Sequence, residues 1–468
     1  MRKVLFTLLV LTTLLCSGGF AQSPNSFSIA LDKKVTNLIT VPCGEKGFCI
    51  VTEKKAKDYK QLIISHYDTT MRPVSDTTVT LSGKWVGQHL FYENGALVIY
   101  YQESLKKRLT PNGLLLFYHP DSKSFEKREV TGMSAVDLNG MWRHYRGNLI
   151  FVSAERGNNM VWFLPAGAAQ PTAFPFTRDN PGRVLATAVD TLQGKAIICF
   201  ATGDRTAYFE TDFYGRSSFA NILNEPATDA QWISVGRDHS VLMLYYHDEE
   251  TFYMHPVNIL NHKVMPSEEL YCADILVPKS LPANVLTKHI IIIPPHNYIS
   301  FLPSKASIHG DKIACITELY YPEYYNYFNG WYVEPRFSGY RYERADVHFF
   351  DTNGVFKTNV TFPYGEEGDL HSKVIYKLDV QPLQNNDLLL YHIDNQGLTT
   401  MLLDSAIRLK DPVRTNDLPL PNILFKKQKI VVDKLSPWYR NRFLLTDFRI
   451  NVFSRRKTAY DVQALEYR

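Results

Sequence analysis

The chain has 468 residues, 45% of them hydrophobic and 21% charged, enough apolar material for a large core and unlike a disordered tail. Its formal charge is only +4, with no long basic stripe. That balance excludes nucleic acid as an expected partner, because binding a phosphate backbone needs a clustered basic footprint.

Residues Met1–Ala21 read as a signal peptide. Arg2 and Lys3 supply the charged start, Val4–Leu15 an apolar run too short to span a bilayer, and Gly19-Phe20-Ala21 the small residues of a cleavage site. Cleavage before Gln22 is expected, leaving 22–468 as one domain. The competing reading lipidates Cys16, but that needs a small residue just before it and Leu15 is large. The leader is similar to those of Gram-negative bacterial envelope proteins, which implies export to the periplasm or the cell surface. No later apolar run is long enough for a membrane-crossing helix; Ile290–Pro294 is far too short.

Five cysteines follow the leader: Cys43, Cys49, Cys199, Cys272 and Cys315. Cys43 and Cys49 flank two glycines that permit a tight reversal, so they form a possible disulfide in an oxidising compartment. Cys199 and Cys315 fall inside strand patterns and are expected as small core residues. The odd count leaves at least one thiol unpaired. None of the spacings is that of a zinc site, and no cofactor is expected.

Beyond the cysteine hairpin one phrase recurs: an apolar strand, a short Asp/Asn/Gly/Pro turn, then a second strand. It appears at Leu62–Leu81, Leu114–Val130, Met160–Phe176, Thr206–Leu223, Thr251–Met265, Asp346–Phe362 and Leu398–Leu409, with an open half at Lys457–Arg468. Most copies lie roughly 45 to 55 residues apart, near the period of four-stranded propeller blades. Two further strands precede most copies, for example Lys84–Tyr92 and Ala96–Gln102, or Lys377–Gln381 and Asp387–Ile393. Helical periodicity is almost absent; a short piece at Ser267–Tyr271 is the one candidate.

The pattern predicts an all-β protein, a β-propeller of four-stranded antiparallel blades. Eight units are counted, with seven the alternative. Ile423–Val432, Arg442–Asn451 and Thr458–Tyr467 form a three-stranded last unit, while Ser26–Asp32 is a lone strand at the start. Pairing Ser26–Asp32 with Thr458–Tyr467 closes the ring and hides two sheet edges. In these repeats the chain resembles bacterial secreted β-propellers. The family marks are absent: no repeated Trp-Asp ending, no kelch double glycine, no sialidase-type Asp box. The resemblance therefore implies a fold and carries no site residues.

Searches for chemistry return little. There is no Gly-x-Ser-x-Gly elbow, no phosphate-binding glycine loop and no His-Glu-x-x-His. His247-Asp248-Glu249-Glu250 reads as a solvated turn, and so does Arg455-Arg456-Lys457. Trp85, Trp142 and Trp438 precede strands and read as packing.

One stretch stands out. Between Tyr320 and Tyr342 lie eleven aromatic residues, inside an insertion at 318–344 that delays its blade. Pro322, Gly330, Pro335 and Gly339 are expected to break any regular element there, giving a long loop between strands ending near Thr317 and starting near Ala345. Long loops in compact domains are often functional, and Tyr and Trp give rigid contact faces with a polar edge. The candidate binding residues are Tyr324, Tyr325, Tyr327, Trp331 and Tyr332, with Arg336 and Arg341 to orient a ligand. A cover folded over the ring is the other reading. The functional expectation is a non-catalytic binding or scaffold protein whose partner is an envelope protein or a glycan. The alternative is a polysaccharide-active enzyme with carboxylates, His, Tyr or Arg converging at the channel mouth.

Overall fold

Strands form here for a reason visible in their burial. The outermost strands alternate, as in Phe356–Pro363, where Phe362 is buried and Lys357, Asn359 and Thr361 are not. Second strands are instead buried on both faces: Ala96–Leu105 buries the apolar run Ala96–Tyr101 and then Gln102 and Glu103, because a blade is covered by two neighbours. The computed structural model describes residues 20–105, 108–133, 141–155, 158–173, 183–202, 205–223, 227, 229–235, 239–247, 251–258, 263–264, 268–271, 300–328, 333–352, 355–364, 370–371, 374–393, 397–416 and 428–467. Residues 1–19 of the leader, Cys272, Trp331 and Tyr332 lie outside the described residues.

The described strands make a β-propeller. Seven antiparallel sheets are each built from consecutive strands, over 35–82, 85–130, 142–173, 183–223, 229–271, 300–371 and 379–416. A further sheet joins Phe20–Ala30 to Lys457–Tyr467, Arg442–Asn451 and Gln428–Tyr439. Successive sheets touch through their first strands, which places those strands innermost. The closure expected from the sequence is present: Ser26 pairs with Gln463 and Ala30 with Ala459, antiparallel, with further pairs from Phe20↔Tyr467 to Gln22↔Leu465.

The seam beside this closing blade is aromatic. Phe27 of the first strand stacks on Tyr67 at 4.8 Å, Tyr67 on Phe48 at 5.1 Å, and Trp438 meets Phe48 edge-on at 5.4 Å. Trp438 Nε1 also donates to Gly47 O at 2.7 Å. Gly47 is required there: its φ is +95°, and an added Cβ would lie 1.8 Å from Tyr67 O. Trp85 and Trp142 are buried as well, so all three tryptophans pack, as expected.

The recurring turn has a mechanism. In Asp68–Arg72, Asp212–Arg216 and Asp404–Arg408, the aspartate Oδ1 accepts backbone N–H bonds from the residues two and four positions on, at 2.8 to 2.9 Å. The fourth turn residue takes positive φ, at Met71, Gly215 and Ile407. The side chain thus satisfies donors that the reversal leaves open, and the turn needs only an aspartate at its first position.

Two local expectations are corrected. Glu268–Tyr271 is a strand, not a helix; it pairs with Thr251–Met254 as a fifth strand. Four residues cannot repay helix nucleation, whereas an open sheet edge offers backbone partners at once. The stretch around 318–344 is not an irregular loop. Its flanking strands run on through it, as Lys312–Phe328 and Val333–Asp351. Cys199 and Cys315 are buried core residues, as expected. Among the described residues no helix is long and apolar enough to cross a membrane.

Candidate functional site

Tyr, Phe and Val favour extended backbone, and in this stretch that preference overrides the prolines and glycines. The two strands stay paired to Phe328↔Val333, with register shifts at Leu319/Tyr320 and Glu323/Tyr324 absorbing the irregular residues. Pro322 and Pro335 are tolerated because both strands are near-edges at this height. The result is a two-stranded ribbon that continues the second and third strands of its blade. Leu370–His371 adds a short third strand against Tyr340 and Arg341.

Alternation sorts the ribbon's side chains onto two faces. One face is an aromatic ladder: Tyr342 stacks on Tyr320 at 5.6 Å, Tyr320 meets Tyr340 at 5.6 Å, Tyr340 meets Phe337 at 5.0 Å, and Phe337 meets Tyr324 at 5.7 Å. The ladder is buried at its foot, where Tyr342 is inaccessible, and open at its top, where Phe337 is 44% and Phe328 65% exposed. The other face carries Arg341, held by Glu323 through Nε at 2.7 Å and Nη2 at 2.8 Å. Higher on that face the Arg336 guanidinium lies 3.6 Å from the centre of the Tyr327 ring.

The structure therefore brings Tyr324, Tyr325, Tyr327, Arg336 and Arg341 onto one projecting element. Tyr325 and Tyr327 are 49% and 38% exposed, whereas Tyr324 is half-buried in the ladder. Arg341 is committed to a cross-strand ion pair. Phe328 and Phe337 were not among the sequence candidates, yet they are the more exposed aromatics on the ladder face. Alternation over Pro322–Phe328 was the signal for them, and it is hidden if the prolines are read as ending the strands.

A buried polar cluster anchors the foot of the ribbon. Glu318 is fully buried, and its Oε1 accepts the backbone N–H groups of Lys377 and Leu378 at 2.8 and 2.9 Å. Tyr342 Oη donates to Ile375 O at 2.6 Å and accepts from Ile375 N at 2.7 Å. The Lys377 ammonium lies between the Tyr342 and Tyr364 rings, at 4.5 and 5.3 Å from their centres. The segment entering the next blade is thus strapped to the ribbon's base. Burial pushes the Glu318 carboxyl up to about 7, against the relief supplied by the two amides and Lys377. Sequence reasoning assigned Glu318 no role; a single carboxylate after the run Lys312–Thr317 was its only mark.

Among the described residues, no group of three or more His, Cys, Asp or Glu side chains is placed to hold a metal ion. Cys43 and Cys49 do meet: both are buried thiols with their sulfurs 3.8 Å apart. The hydrogen-bonded Cys43 thiol beside it, and then burial, raise the Cys49 thiol pKa.

No protein-family model matches the chain, and no curated protein does. Solved structures are similar at the level of fold. The β-propeller domain of the Trilobed protease from Pyrococcus furiosus is 8% identical, over 81% of this chain and 93% of that one, with a TM-score of 0.37. A prolyl endopeptidase is 9% identical over 89% of this chain, with a TM-score of 0.40, and the match spans 54% of that longer chain. The acylaminoacyl peptidase from Pyrococcus horikoshii is 11% identical over 82%, with a TM-score of 0.34, and is matched over 52% of its length. The chain is a β-propeller, and likenesses this distant carry no argument about activity.

Proposed function

We propose that this protein is an exported β-propeller that acts as a binding or scaffold protein of the bacterial envelope, with the aromatic ribbon as its contact surface. The observation that carries the reading is the gradient along the ribbon: a foot locked by Glu318, Tyr342 and Lys377, and a top that exposes Phe328 and Phe337 on one face and Tyr325 and Tyr327 on the other. A free chain gains nothing from holding four large aromatics in water on a rigid arm, whereas a partner does. Both faces of the arm present aromatic rings, one of them with Arg336 beside Tyr327, which suits a protein surface or a glycan. Cleavage before Gln22 is compatible with ring closure, because the pairs from Ser26 to Ala30 all lie beyond it.

The test replaces Tyr325, Tyr327, Phe328 and Phe337 together by Ser. Exposed positions cost little stability, so the melting temperature should hold. Each aromatic anchor is worth about 2 kcal/mol to a partner, roughly 30-fold in affinity, so capture from envelope extract or on a glycan array should collapse. Unchanged capture would remove the ribbon from the binding surface.

Export also bears on the cysteines. In an oxidising compartment Cys43 and Cys49 form a disulfide by exchange with a donor disulfide, each thiol losing its proton and the donor leaving as a dithiol. Because both thiols are buried and Cys49 is hard to ionise, the bond forms during folding. Mass spectrometry of protein from the native envelope should find peptides carrying Cys43 and Cys49 joined before reduction; free alkylatable thiols at both would oppose it.

A further inference from the structure

A cleft of about 540 Å³ lies at the seam where the ring closes, between the Val35–Pro42 and Gln428–Tyr439 strands, both innermost in their sheets. Its mouth is formed by the blade-to-blade connection at Leu31–Val35 and by the turn carrying Arg456 and Lys457. In antiparallel blades, second-to-third turns and blade-to-blade connections open on one face of the ring. The cleft and the ribbon therefore share a face.

The floor of the cleft is hydroxylated. Thr40 Oγ1 and the buried Tyr460 Oη are 2.9 Å apart, and Thr446 Oγ1 donates toward Asp433 Oδ2 at 3.4 Å. The rim is cationic, with Lys33, Lys434, Arg456 and Lys457 against two carboxylates, Asp32 and Asp433. Asp32 is already engaged: it accepts the backbone N–H of Lys34 and faces Lys54 at 3.9 Å. Asp433 shares the Thr446 hydroxyl with Lys434 O, which lies nearer at 3.2 Å. Lys33, Lys434 and Arg456 have no ion pair among the described residues, and Lys457 sits 3.3 Å from the centre of the Phe448 ring.

We propose that this cleft binds a small saccharide bearing an anionic group. The volume lies within the range of small-molecule sites. Cations on a concave wall, three of them with no ion pair among the described residues, concentrate a negative ligand, and the floor supplies hydroxyls that can both donate and accept, as ring hydroxyls need. Part of the lining is apolar, through Leu38, Ile39 and the Lys457-capped Phe448 ring, which suits the non-polar edge of a sugar. A uronate and a sugar phosphate present the same chemistry of anion plus polyol.

Calorimetric titration of the full mature protein tests this with digalacturonate, glucose 6-phosphate, maltose and inorganic phosphate. One or both anionic sugars should bind, and whichever binds assigns the source of the anion. Maltose and inorganic phosphate should each bind at least about tenfold more weakly, and added salt should weaken the anionic sugar. Lys434→Glu and Arg456→Glu should each cost about tenfold or more. Asn37→Trp, an exposed position on the wall, should block the cleft with little change in melting temperature. The ribbon variant with four serines should bind the sugar as the wild type does, which separates this site from the proposed contact surface. Failure of both anionic sugars to bind, equal binding of maltose, or affinity unchanged in all three cleft variants would overturn the proposal.

Discussion

Deleting Ser26–Asp32 should unfold the ring rather than trim a tail. The segment supplies the outer strand of the closing blade, and its Phe27, Ile29 and Leu31 pack into the core shared with the first blade. Burying two or three such side chains is worth about 3 to 6 kcal/mol, before counting the sheet edge left open on Lys457–Tyr467. Domains carry only about 5 to 15 kcal/mol in total, so the loss takes a large share of it. The shortened protein should melt broadly and at far lower temperature. Phe27→Ala, which keeps the backbone pairs but removes the stack on Tyr67, should cost about 2 kcal/mol by denaturant titration. A deletion that melts like the full protein would mean that the terminal strand is not part of the closure.

Glu318→Gln should make the protein more stable at alkaline pH and leave it little changed in acid. The folded carboxyl titrates near 7, above its ordinary 4.5, because burial disfavours its charge. The folded state therefore binds the proton more tightly than the unfolded state. That contribution is complete below pH 4.5 and is lost as pH rises to about 7, at most about 3 kcal/mol. Glutamine keeps the oxygen that accepts from Lys377 and Leu378 while removing the charge, so the variant's stability should lack this decline. Groups facing Glu318 include Lys377, Asp379, Tyr342 and Tyr364. Asp447 has the same sign, raised to about 7 by burial and by Asp461 beside it, so the wild-type decline has a second source that Asp447→Asn should remove. Parallel stability–pH curves for wild type and Glu318→Gln would show that the buried carboxyl does not titrate there.

The architecture was legible because it repeats. The strand–turn–strand phrase recurs, and in three blades an aspartate feeds its carboxylate to its own turn amides, at Asp68, Asp212 and Asp404. Closure was legible because each terminal strand lacked a partner. The candidate site was half legible. Aromatic density located the ribbon, but Pro322, Pro335 and Gly339 argued for a loop, and only pairing across the two strands shows that bulges absorb them. Which aromatics face water follows from that pairing, so the exposure of Phe328 and Phe337 was missed and Arg341 was read as available when Glu323 holds it. The Glu318 cluster and the seam cleft join residues distant in the chain, at 318 with 377 and 36 with 446, and no local pattern announces such meetings.

The claim that the ribbon is the contact surface is tested most directly by site-specific photocrosslinking in the native envelope. A photoreactive residue at Tyr325 is compared with one at Tyr214, on another blade's turn and even more open to solvent. Position 325 should give a discrete adduct with an envelope component, and position 214 should give none. Adducts of equal yield at both positions, or none at 325 while the protein is folded and exported, would contradict it.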